Sequence, residues 1–165
     1  MNGAQMHLIV NHVPVIGFPF ALVLLALALA RKSDELALVG YWSLVVLAVS
    51  TYMAVDTGGD AAHLVHALSG VNAAAIRPHA HAAHMAFYGG AVLAALALVG
   101  LFALRRSRAW LALCAAGTLA LSVDLAYVAH LGGLIRHPEI ASGFVAPAPA
   151  QNAVPARKNK LAEDK

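Results

Sequence analysis

Charge is what this sequence has least of. Of 165 residues, 11 are Lys or Arg and 8 are Asp or Glu, 12% in all, against about a quarter in a soluble domain. So few charges cannot solvate a globular surface of this size, which excludes a soluble domain. Disorder of the body is excluded as well, because it needs low hydrophobicity and high net charge. The net charge of +3 comes partly from the C-terminal end and forms no basic patch, so nucleic acid is not a partner. A single cysteine, Cys114, excludes an intrachain disulfide and a thiolate metal cluster, and its mid-span position reads as a small apolar core residue. There is no phosphate-cradling glycine loop, hydrolase elbow or zinc-protease motif, so nothing in the sequence points to catalysis.

What the chain has instead is apolar length: 61% hydrophobic residues and a mean hydropathy of +0.73. Four stretches, residues 7–30, 36–56, 84–104 and 109–130, reach the roughly 20 residues a helix needs to cross a hydrocarbon core. Short polar turns join the first two (Arg31 to Glu35) and the last two (Arg105 to Arg108). The expectation is an all-α integral membrane four-helix bundle of two hairpins. Five basic residues flank these turns (Arg31, Lys32, Arg105, Arg106, Arg108), against Arg77 and Arg136 at the other ends. The positive-inside rule then puts both turns in the cytoplasm and both termini outside, in a multi-pass membrane protein. Trp42 and Trp110 fall near the cytoplasmic boundary, as belt residues do.

The first span is read as retained rather than as a signal peptide, since no Lys or Arg precedes it and it exceeds an h-region in length. Pro14 and Pro19 each remove a backbone donor and are expected to kink it. In the middle loop, Ala61, Leu64, Val65 and Leu68 have helical spacing before Ser69-Gly70, which predicts a short amphipathic helix over the bundle mouth. Residues 1–140 are thus the transmembrane domain. Residues 141–165, rich in Pro and Ala and then charged, are expected to be a flexible tail.

A weak repeat runs through the chain. His12 stands five residues before Gly17 as His84 stands before Gly89, and Gly58-Gly59 precedes His63 as Gly132-Gly133 precedes His137. Two parallel hairpins about an axis along the membrane normal would produce it.

All nine histidines fall at the expected outer ends, none at the cytoplasmic turns. Imidazole is a common ligand for transition metals and haem iron. His12, His84 and His130, from three spans at similar depth, form the core of the candidate cofactor set, with His7 and His137 completing a metal site from the rim. His63, His66, His79 and His81 read as solvated loop or interfacial residues. Asp56 and Asp124 are candidates to orient ligands or carry protons, with Tyr88 and Tyr127 on the same stripes as His84 and His130. Asp124 reads equally as a partner in a structural hydrogen bond to Thr51, Tyr52 or Tyr127.

The run His7-Leu-Ile-Val-Asn-His12-Val-Pro14 and the run His130-Leu-Gly-Gly-Leu-Ile-Arg-His137-Pro-Glu139 resemble the motifs of an uncharacterised family of bacterial four-span inner-membrane proteins. The resemblance covers about residues 6–140 and implies fold and location, not an activity. Where that family carries glutamates after Thr-Gly and after the third-span histidine, this chain has Gly59 and Met85. Three function classes stay open. One is a transition-metal protein, with copper or zinc, in metal handling or as an accessory to a respiratory complex. Another is a b-type haem electron-transfer subunit, and the third a cofactor-free structural or assembly subunit. Beyond the lipid bilayer, the expected partners are subunits of a membrane complex or a second copy of the chain.

Overall fold

The computed structural model describes residues 2–66 and 68–145. It is all-helical over those residues, with no strand among them. The elements are α1 (Gly3–Val10), α2 (His12–Arg31), α3 (Asp34–His66), α4 (Ala73–Phe102), α5 (Arg108–Arg136) and a 3₁₀ turn, Pro138–Ile140. α1 and α2 together count as one candidate span, so four apolar helices among the described residues are long enough to cross a membrane. The protein is a multi-pass four-helix bundle. The tail expected over 141–165 lies outside the described residues beyond position 145.

Local chemistry explains the helix ends. Asn2 and Gln5 form a reciprocal capping box that opens α1. Pro14 offers no N–H to the Val10 carbonyl and crowds it, and the hydrogen-bond ladder breaks there, between α1 and α2. Pro19, by contrast, sits within an uninterrupted α2. Lys32 closes α2 in the left-handed conformation (φ 52°). Ser33 and Ser107 then accept from the amides of Leu36 and Trp110 at the starts of α3 and α5.

One expectation is corrected. Residues 61–66 are not a separate helix over the mouth but the last turns of α3, and Asn72 to Ile76 lead into α4 without a break. At 33 residues α3 is about 50 Å long, well beyond a hydrocarbon core of about 30 Å. Propagating an existing helix adds one bond per residue, whereas a new one needs a costly nucleus. The link from α3 to α4 is consequently short, with Gly70 at φ 75°.

Small residues set the packing. Ala21, Ala28, Ala37, Ala86 and Ala97 are buried and bring the helices close, while Phe18, Leu25, Tyr41, Leu44 and Leu111 fill the space between them. Buried hydroxyls of Thr51 and Thr118 bond back to the carbonyls of Leu47 and Cys114 one turn earlier, so no hydroxyl is orphaned there. Cys114 is fully buried in this core. Large apolar side chains such as Ile16, Phe20, Val46, Val92 and Val123 face outward, as a lipid solvent requires.

The two hairpins, α1–α2–α3 and α4–α5, repeat several of each other's contacts. His7 bonds the Ala54 carbonyl and His79 the Val128 carbonyl, at 2.9 and 3.0 Å. Gly17 lies against Leu47 and Gly89 against Leu121. His12 bonds Leu8 and His84 bonds Ala80, each at 2.8 Å. In each case the second contact is the first one moved 72 residues along the leading helix or 74 along the returning one. In an object with a two-fold axis, equivalent residues meet each other only on that axis. Two equivalent pairs do so: His7 with His79 at one end of the bundle, and Asp34 with Arg108 at the other.

At the charged end Arg108 donates to Asp34 Oδ1 at 2.8 Å and to the Lys32 carbonyl at 2.7 Å, closing hairpin on hairpin. The side chains are 37% and 35% exposed, so solvent screens the pair. Asp34→Ala is expected to cost about 1 kcal/mol or less. Arg106→Ala, whose side chain is 90% exposed, should change nothing measurable. Denaturant titration of both variants in micelles tests the difference.

Candidate functional site

The expected histidine triad is not assembled. His12, His84 and His130 are all exposed on the outside of their helices. The Nδ1 atoms of His12 and His84 donate to carbonyls four residues earlier, Leu8 of α1 and Ala80 of α4, as local bonds. Among the described residues no three His, Cys, Asp or Glu side chains are gathered for a metal ion. His137 is exposed and pairs with Glu139 Oε1 at 2.9 Å. That carboxyl is held below the usual carboxylate range by its own backbone N–H and then by the His137 imidazole. Tyr88, Tyr127 and Asp56 are exposed, with no side-chain hydrogen bond among the described residues. Half-buried Asp124 has no side-chain hydrogen bond among the described residues, so the expected bond to Thr51, Tyr52 or Tyr127 is absent.

The structure brings together another pair. The rings of His7 (α1) and His79 (α4) stand edge to face with centroids 6.5 Å apart and planes at 84°. Both are partly buried. Each ring reaches across to the other helix of its own hairpin. A carbonyl oxygen only accepts, so the nitrogen facing it carries the proton. Nδ1–H of His7 therefore donates to Ala54 O, and Nδ1–H of His79 to Val128 O. In the neutral imidazole this leaves Nε2 of both rings with a bare lone pair. Neither Nε2 has a protein partner among the described residues.

Two glycines make room for these rings. A Cβ on Gly58 would lie 3.4 Å from His7 Cε1, and one on Gly132 would lie 3.1 Å from His79 Cε1. Each glycine is one helical turn beyond the accepting carbonyl, so a single helix face provides both the anchor and the space. Gly132→Ala is expected to push the His79 ring by a few tenths of an ångström and weaken its bond to Val128. Gly58→Ala, in ordinary contact, should leave His7 in place. Imidazole NMR shifts of the two variants report which ring moves. Asn11, one turn on from His7, adds a buried Oδ1 with no hydrogen-bond partner.

A backbone-anchored imidazole with a free Nε2 is the arrangement that metal-bound histidines show, where the second nitrogen fixes tautomer and ring orientation. Two surface grooves of about 430 and 440 Å³ lie elsewhere. One runs beside Gly17, Phe20 and Trp42 on the outer side of α2 and α3, the other at the charged turn around Asp34 and Arg106.

No protein-family model matches the chain, and no curated protein or solved structure is similar to it. The reading of the site therefore rests on its own residues. The sequence offers His7 as a rim candidate but reads His79 as solvated because of its position in the outer loop, so the pair itself is not expected from it. The signal that finds it is the repeat, since His79 follows His7 by the same 72 residues that separate His84 from His12.

Proposed function

We propose that this protein spans the bacterial inner membrane and binds one transition-metal ion, copper or zinc, at its outer mouth, in metal handling or as an accessory to a respiratory complex. The single observation that supports it is the His7–His79 pair, two imidazoles 6.5 Å apart across the pseudo-two-fold axis, each anchored through Nδ1 on a carbonyl and each with an Nε2 that has no protein partner among the described residues. Imidazole without thiolate suits copper and zinc. A haem would use the same two ligands but also needs an open slot for its macrocycle. Pro14, Ala82 and Ala86, all buried, close the helices one to two turns below the pair, which favours a bare ion.

Elemental analysis of untagged protein, purified in detergent from its own membrane, is expected to give about one metal per chain. His7→Asn and His79→Asn should each abolish it, and the triple change of His12, His84 and His130 to Asn should not. Metal retained by both single variants would sink this assignment. A colourless, metal-free protein would instead return the pair to a structural role.

The orientation has its own test. The five basic residues at the two short turns support a cytoplasmic location for that end. A membrane-impermeant maleimide on intact cells is expected to label Ser142→Cys and not Ser33→Cys; the reverse pattern inverts the topology.

A further inference from the structure

Independently of the metal reading, we propose that the groove at the charged end of the bundle holds one anionic phospholipid, its phosphodiester bound by Arg105 and Arg106. The two-fold relation singles these residues out. Equivalent positions lie 72 residues apart on the leading helices and 74 apart on the returning ones, so the turn between α4 and α5 is two residues longer than the turn between α2 and α3. Lys32 corresponds to Leu104 and the capping Ser33 to the capping Ser107, so Arg105 and Arg106 are the pair without a counterpart. Arg105 is exposed, and its side chain has no partner among the described residues. Arg106 is 90% exposed and approaches Asp34 through Nε at 3.6 Å, while its terminal nitrogens have no partner among the described residues. The Ser107 amide closes the turn on the Leu104 carbonyl, and the amides of Arg105 and Arg106 inside it meet no acceptor among the described residues. Guanidinium and amide groups only donate, so what this turn lacks is an anion with several acceptor oxygens. The groove beside it, about 440 Å³, is bounded by Asp34 and residues 103–107 and has the size of a small-ligand site.

Charge and depth select a lipid. Five cations, Arg31, Lys32, Arg105, Arg106 and Arg108, stand at this end against the carboxylates of Asp34 and Glu35. Asp34 is the carboxylate that lines the groove, and it already takes Arg108 on Oδ1 and faces Arg106 with Oδ2. A headgroup amine therefore finds no free counter-charge in the groove, whereas a headgroup with net negative charge meets two arginines. Trp110, in the first turn of α5, marks the level at which interfacial aromatic residues and headgroups lie. Leu104 lines the groove, and Phe102, two residues before it, is 81% exposed. Acyl chains thus have apolar surface close to the bound phosphate, which a free phosphate would not use. The site belongs to whichever leaflet carries the two short turns, so it does not depend on the orientation of the chain.

The test titrates the full-length protein in a neutral detergent with dioleoyl phosphatidylglycerol and, separately, with dioleoyl phosphatidylcholine, and counts bound lipid by native mass spectrometry. One phosphatidylglycerol per chain is expected, held about fivefold or more tightly than phosphatidylcholine. Arg105→Gln and Arg106→Gln should each weaken it by about fivefold, the factor that one basic residue contributes near a membrane surface. Arg31→Gln and Lys32→Gln remove the same charge outside the groove and should change binding by less than about twofold. All four side chains are exposed, and circular dichroism melts confirm that the variants are folded. Equal effects of the four substitutions would make this end a diffuse basic face and overturn the site, and equal retention of the two lipids overturns it as well. Displacement of phosphatidylglycerol by excess inorganic phosphate overturns the lipid assignment in favour of a free anion.

Discussion

Gly100→Ala should destabilise the bundle by about 2 kcal/mol, within the 1–3 typical of overpacking. A Cβ at Gly100 meets three ring atoms of Tyr41 at 2.6, 2.8 and 2.9 Å. Tyr41 is completely buried, so its ring has nowhere to go, unlike the flexible leucine ends that face Gly17 and Gly40. Gly90→Ala is the control in the same helix: its Cβ would meet neighbours only at 3.8 Å and beyond, so the helix gains propensity, up to about 1 kcal/mol, without a clash. If both substitutions stabilise alike in denaturant titrations, close packing at Gly100 is not what holds the hairpins together. Tyr41→Phe gives a second check. The Tyr41 hydroxyl is buried without a partner, so its removal is expected to leave stability unchanged or raise it by about 1 kcal/mol.

The second large effect is at the paired histidines, where Ala and Asn separate two roles. His79→Ala loses the cross-helix bond to Val128 and leaves a void beside Gly132. Such interhelical bonds average about 0.6 kcal/mol in membranes, with a maximum near 1.7, and the Val128 carbonyl keeps its own helical donor. With the lost packing added, about 1–2 kcal/mol is the expected loss. His79→Asn keeps a donor in place and should lose only a few tenths, and under the proposed metal reading it should remove the metal as completely as Ala does. Unfolding free energies and metal content measured on the same two preparations decide it. Equal destabilisation by Ala and Asn would mean that the carbonyl bond contributes nothing. His7→Ala and His7→Asn should reproduce the pattern through Ala54, as the two-fold relation requires.

Much of the architecture is legible in the sequence, for reasons that act over one or two helical turns. Span count follows from hydrocarbon thickness, and the polar turns from charge. The repeat is legible too, but not which of its equivalent pairs meets at the axis, which in the structure is His7 with His79. His12 and His84 are equivalent by the same spacing as His7 and His79, and nothing in a linear sequence says which equivalent pair lies near the axis and which on the outside. Depth alone favoured His12, His84 and His130, and depth says nothing about azimuth around the bundle.

That division has a physical cause. Composition, span count, hairpin pairing and the gathering of histidine at one end are sums over local free energies, chiefly the transfer of apolar side chains and the nucleation of helices, and the sequence by itself determines them. Which face of each helix turns inward depends on how Ala, Gly, Phe and Tyr side chains from four helices interlock, a many-body packing problem in which rotating a helix by one residue exchanges core for lipid face. Only the tertiary structure decided that His7 and His79 meet on the axis, that His12, His84 and His130 point away from it, and that α3 runs on through the segment expected to form a separate helix.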